Sequence, residues 1–201
     1  MEVLKFFIAS MLLFILLICT PQIQSNNTLT KISEVNSEIK SIIDIKIEKQ
    51  SALNLCWASV ASGISQFYEK DKYWSQCKLT DKAFGLTNCC KDLNACDRAW
   101  YLDSALIFTR NYRQAKLGMP SFDEIKNEIL NGHVIALRIE WRAENQGHFI
   151  LITGFYDGEF VQIEDPWPTS NPGKIKLIEV EQFYESTGTV THYFLTKEAI
   201  P

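Results

Sequence analysis

The spacing of apolar residues changes character near residue 132, and this change constrains the fold more than any other feature of the chain. Before it, the main period is helical. From Cys56 to about Glu69, Trp57, Ala61, Ile64 and Tyr68 fall on one stripe, with Val60 and Phe67 beside it. Ala58, Ser59, Ala61, Ser62 and Gly63 keep this helix thin. A helical Gly costs about 1 kcal/mol relative to Ala, so close packing against another element is expected at Gly63. A second helix is expected over 99–112, with Leu102, Ala105, Leu106 and Thr109 on one face. Ser121-Phe-Asp-Glu124 is a capping box that opens a third, with Ile125, Ile129 and Leu130 as its apolar face and Gly132 as its stop. Beyond it the pattern is strand-like. Residues 133–141 (HVIALRIEW) and 148–155 (HFILITGF) are strongly apolar, and Tyr156-Asp157-Gly158-Glu159 forms a hairpin turn into 160–164. Two more strands are expected at 174–180 and 189–196. One strand comes earlier: over 42–49, Ile43, Ile45 and Ile47 alternate with polar residues. Residues 71–97 read as an irregular, cysteine-rich excursion. Helices first and an antiparallel sheet second make an α+β fold with a cleft between the halves.

The 201 residues suit one domain with a sizeable core. The net charge of -4 supplies no basic footprint, which argues against nucleic acid or an anionic membrane surface as partner. The chain reads as a monomer. Residues 6–19 are apolar apart from Ser10. They are too few for a bilayer span, which needs about 20, and they match the core of a signal peptide with a cut after Ser25. An uncleaved anchor is the alternative, and Cys19 raises a lipoprotein option that Ile18 disfavours. Residues 26–41 are a loose mature N-terminus and 42–201 the folded domain. The expected location is therefore secreted or periplasmic.

Export changes how the cysteines are read. Without Cys19, five remain: Cys56, Cys77, Cys89, Cys90 and Cys96. If Cys56 stays free, the other four form two disulfides in an oxidising compartment. Pairing adjacent Cys89 with Cys90 would be strained, which leaves two realistic connectivities. A four-thiolate zinc site is the rival, although the spacing lacks paired CxxC knuckles.

Cys56 also starts the first helix. A thiol there meets unpaired N–H groups and the positive end of the helix dipole, and both favour the reactive thiolate. An acyl transfer further needs oxyanion donors, a base and a group that orients the base. The Cys56 N–H and the Gln50 side-chain amide are candidate donors. His148 opens one strand and Asp165 ends the next, so the hairpin can bring them together.

Gln50 followed by Cys56-Trp57-Ala58 resembles the papain-like cysteine proteases. Asn54-Leu55 departs from the Gly-Ser of cathepsin-type members, and the third residue is Asp where cathepsins have Asn. The run CWASVASGISQFY, Gln76-Cys77, the Cys89-Cys90 doublet, Gly147-His148, Thr153-Gly154 and Asp165-Pro166 resemble the compact bacterial branches, the AvrRpt2-type and peptidase C39-like families. The resemblance covers about residues 42–196. It implies a papain-like fold, with Cys56 as nucleophile, His148 as base and acid, Asp165 as orienter and Gln50 as oxyanion donor. It carries no particular substrate, and it makes the group Cys77, Cys89, Cys90 and Cys96 a structural insertion. The resulting expectation is a secreted cysteine peptidase that hydrolyses a peptide or protein substrate through a thioester acyl-enzyme, without a cofactor.

Other readings stand beside these. His133 competes as base, but it follows a capped helix and lacks the hairpin to an Asp. His192 reads as a solvent-facing strand residue, and Asp157 as a turn residue. Trp57 and Trp167 read as core or cleft wall, and Trp141 as a groove residue. The rival activities are a transglutaminase-like acyltransferase or amidase with the same triad, and a disulfide-stapled binding module with an inert Cys56.

Overall fold

A computed structural model describes residues 40–70, 73–142, 146–184 and 188–199. The expected signal peptide at 1–25 and residues 26–39 of the expected loose N-terminus at 26–41 lie outside these residues. The order of elements is β1 (Lys40–Ile42), α1 (Cys56–Glu69), α2 (Gln76–Phe84), α3 (Leu102–Phe108), β2 (Tyr112–Leu117), α4 (Phe122–Leu130), β3 (Ile135–Trp141), β4 (Gln146–Tyr156), β5 (Phe160–Glu164), β6 (Gly173–Lys176), α5 (Val180–Phe183) and β7 (Thr189–Thr196).

The strands form one antiparallel sheet in the order β2-β7-β3-β4-β5-β6. β1 also pairs with β4, at Gly154–Tyr156. Because β5 occupies the other edge of β4 there, β1 continues the line of β3. Alternate residues of the central strands enter two cores. Ala136, Phe149, Leu151 and Phe194 pack with α1 and α3, while Ile135, Leu137, Ile139, Ile150 and Ile152 pack with Ile125 and Ile129 of α4. Burial on both faces explains why 133–141 and 148–155 are apolar nearly throughout. The fold is α+β, with helices preceding most of the sheet and a cleft between them.

Several local expectations need correction. The alternation of 42–49 is real in burial, with Ile45 in the core, yet only Lys40–Ile42 pairs as a strand. Beyond it Ile45 N–H bonds to the Ile43 carbonyl, which breaks the ladder, and the segment meets α1 instead, through Ile47 against Gly63 and the Glu48 carbonyl accepting from the Ser59 hydroxyl. The 71–97 excursion contains a helix, α2, ended by Gly85 at φ 66°. The expected 99–112 helix stops at Phe108: Arg110 turns to φ 67°, and Tyr112–Leu117 becomes the edge strand β2. The 174–180 strand ends at Lys176 and passes through a 3-10 turn into α5. Leu130 is exposed, so Ile125 and Ile129 alone carry the buried face of α4. In the capping box, Ser121 Oγ accepts from the Glu124 N–H at 3.2 Å, but the Glu124 carboxylate goes to Lys116 and Tyr193.

The four clustered cysteines form Cys77–Cys90 and Cys89–Cys96, one of the two pairings left open by the sequence. All four sulfurs are therefore used, and the zinc arrangement does not form.

Candidate active site

Cys56 is the first residue of α1, and it is the free cysteine among the described residues. No side chain caps this helix, and its first turn carries no acidic residue, so its N–H groups are not opposed by a local carboxylate. The turn before it is held from outside. Asp97 accepts from the Asn54 N–H at 2.7 Å and from the Asn54 amide at 3.2 Å, and Trp57 Nε1 donates to the Arg98 carbonyl at 2.9 Å. Asp97 directly follows the Cys89–Cys96 loop, so the cysteine-rich segment buttresses the Cys56 turn.

His148 lies near the start of β4, and Asp165 follows β5. The hairpin brings them together: His148 Nε2 lies 2.7 Å from Asp165 Oδ1, with both residues buried. An ionised carboxylate only accepts, so Nε2 carries the proton, and Nδ1 is left for the thiol. Burial pulls the His148 pKa down, but the Asp165 bond and the interaction with the Cys56 side chain outweigh it and raise the value to about 9. Asp165 shows the opposite balance. Burial pushes it up, while His148, the Trp167 N–H and the Tyr184 hydroxyl bring it below the ordinary carboxylate range.

Gln50 is near this group but differently engaged. Its backbone N–H donates to the Pro166 carbonyl at 2.8 Å. Its Nε2 donates to the carbonyls of Ala52 and Leu53 at 2.9 and 2.7 Å, its Oε1 is buried without a partner, and it does not line the cleft. Both amide hydrogens expected at an oxyanion are thus occupied within the 50–53 turn.

The cleft has a volume of about 1320 Å³. Cys56, His148 and Asp165 open onto it, together with Trp100 and Tyr101 on the helical side and Trp141 on the sheet side. Trp167 is partly exposed, with its ring edge-on to His148 at 6.2 Å, whereas Trp57 is wholly buried. His133 is elsewhere, paired through Nδ1 with Glu128 of α4 at 3.2 Å. His192 corrects the expectation of a solvent-facing residue: it is half-buried, stacks on Phe194 and lines the cleft opposite Arg138 in the β3–β7 register.

The model of the Peptidase C39-like family matches residues 42–192. The chain belongs to the peptidase C39-like family. It is accordingly a papain-like cysteine protease. Among solved structures, a protein described as a C39-like peptidase from Bacillus anthracis has a TM-score of 0.52 at 14% identity, covering 81% of this chain and 100% of its own. At that identity the likeness is one of fold. A double glycine motif protease from an AMS/PCAT transporter, in complex with the leader peptide, has a TM-score of 0.45 at 16% identity, covering 78% of this chain and 94% of its own. Xylellain, a cysteine protease from Xylella fastidiosa, has a TM-score of 0.47 at 11% identity, covering 81% and 86%. No match was found among curated proteins.

Two residues of this protease's site, Tyr184 and Ser170, were not singled out in the sequence, and Gln76 was noted only within the pair Gln76-Cys77. Tyr184 and Ser170 both donate to Asp165 Oδ2 at 2.7 Å. Gln76, buried at the start of α2, accepts from the Ser51 N–H and donates to the Lys49 carbonyl, both at 3.0 Å, and so clamps the backbone on either side of Gln50. Ser75 before α2 and Gly85 after it are ordinary helix-boundary signals that could have revealed the helix carrying Gln76.

Proposed function

We propose that this protease hydrolyses peptide bonds through Cys56, His148 and Asp165. The observation that carries the reading is the buried 2.7 Å His148–Asp165 pair whose ring also interacts with the Cys56 thiol at the head of α1. The Cys56 thiolate attacks the peptide carbonyl carbon. The tetrahedral intermediate collapses as the C–N bond breaks, and His148 gives its proton to the leaving amine. Water then attacks the thioester while His148 takes a proton from it, and the acid product leaves as the thiolate is restored. Asp165 holds the tautomer of His148 throughout.

The Cys56 N–H is one oxyanion donor. Gln50 is the second, and its amide hydrogens must first leave the carbonyls of Ala52 and Leu53. A peptide or protein chain is the substrate, laid along the open cleft between helices and sheet. The two disulfides fit an oxidising compartment, which supports export through the first 25 residues.

Iodoacetamide at near-neutral pH is expected to label Cys56, His148→Ala to slow the labelling, and Cys56→Ala to abolish hydrolysis of a peptide library. Absence of labelling in the folded protein would remove the enzyme reading. With a primary amine added, hydrolysed peptide is the expected product. Amine-linked product without hydrolysis would make the protein an acyltransferase.

A further inference from the structure

A carboxylate offers about four lone-pair positions, and at Asp165 four donors fill them. Oδ1 accepts from His148 Nε2 at 2.7 Å and from the Trp167 N–H at 2.8 Å. Oδ2 accepts from Ser170 Oγ and Tyr184 Oη, each at 2.7 Å. The mechanism uses the first oxygen only. The second is held by residues from separate parts of the chain: Ser170 in the loop after β5, and Tyr184 at the end of α5. Tyr184 is itself fixed. Its carbonyl accepts from Trp141 Nε1 and from the Gly188 N–H, each at 3.2 Å, and its ring lies against Trp141 and His148.

We propose that Tyr184 and Ser170 are positioning residues of the protease reaction, clamping the far oxygen of Asp165 so that the near one stays aimed at His148 Nε2. The proposal rests on the triad reading above. With Oδ2 undonated, the carboxylate is free to rotate about its last bond, and a buried anionic oxygen is left without a partner. Among the described residues, the neighbouring charged groups are otherwise engaged. Lys49 Nζ is on the backbone carbonyls of Asp165 and Ser170 at 2.9 and 2.6 Å. Glu164 is a carboxylate that burial itself pushes up, and Cys56 lies beyond the imidazole.

The sign follows from which form each donor favours. Hydroxyl donors stabilise the ionised carboxylate, so removing one lets Asp165 take a proton at higher pH. Tyr184→Phe keeps the ring and deletes one hydroxyl, and Ser170→Ala deletes the other. Each is to be measured for kcat and KM on a peptide substrate across pH, with thermal unfolding as a check on the fold. For Tyr184→Phe, kcat is expected to fall roughly tenfold with KM little changed, and the acid limb of kcat/KM to rise by about one pH unit, the value of one hydrogen bond to a charged group. Ser170→Ala shifts the limb in the same direction and the double variant shifts it further. Folded variants with the wild-type acid limb would overturn the clamp, even if their rates fall uniformly with pH. If Tyr184→Phe does not fold, the limb of Ser170→Ala decides alone. Loss of activity in Cys56→Ala alongside unshifted clamp variants rejects the clamp and leaves the triad, whereas activity retained in Cys56→Ala removes the triad and the clamp with it.

Discussion

His148 holds its proton against burial, and this sets how the protease should respond to alkali. The protonated ring donates to Asp165, and its value near 9 means the proton is lost only as pH approaches that point. Activity is expected to persist to about pH 9 and to fall above it. Asp165→Asn removes the charge that raises the value, so the alkaline limb of kcat/KM should move to lower pH. The same proton affects stability. The folded value lies above the ordinary 6.5, so the contribution is fully present below 6.5 and is lost as pH rises through about 9. The gap in thermal midpoint between wild type and His148→Ala should therefore be wider at pH 6 than at pH 10. At this scale the His148–Asp165 meeting was legible, because a strand start and the end of the next strand are neighbours across a hairpin. The clamp by Tyr184 was not, since nothing local in Val180–Tyr184 points to a carboxylate 19 positions earlier. The inward turn of the Gln50 amide was illegible for another reason: it is a rotamer choice made by two nearby carbonyls.

Helix α1 and the segment before it are fitted to each other. A Cβ built on Gly63 would land inside the Ile47 side chain and crowd its backbone as well. Gly63→Ala is therefore expected to destabilise the protein by about 1–3 kcal/mol through overpacking, although helix propensity alone would favour Ala by about 1 kcal/mol. A chemical denaturation midpoint decides the sign. The composition of α1 made a close contact at Gly63 foreseeable, while its partner depended on where 43–49 left the sheet. Gln76 ties the same segment to α2. Gln76→Ala removes the partners of the Ser51 N–H and the Lys49 carbonyl, which costs about 1 kcal/mol per hydrogen bond lost. It should also lower kcat beyond any loss of folded protein, because Gln50 lies between those two groups. Helix α2 escaped the sequence reading because its short apolar face, Leu79 with Ala83 and Phe84, is embedded among cysteines that drew the segment toward a loop.

Across the whole molecule, the order of helices before strands was enough to place a cleft between them, and Cys56 and His148 approach that cleft from opposite sides. The cysteine-rich segment, expected to be a structural insertion, reaches the site through Asp97 and Gln76. Opening Cys77–Cys90 or Cys89–Cys96 should thus lower activity as well as the thermal midpoint, the latter by several degrees, since a short-loop disulfide contributes about 2–4 kcal/mol. As the proposed nucleophile, Cys56 imposes the reverse requirement, because a thiol attacks only while its sulfur is neither oxidised nor capped. Titrating the enzyme with a thiol reductant should give activity that first rises, as capped Cys56 is released, and then declines as the bridges open. On that reading the active protein occupies a redox window, and the thiol-to-disulfide ratio of its surroundings would set how much of it is competent at any moment.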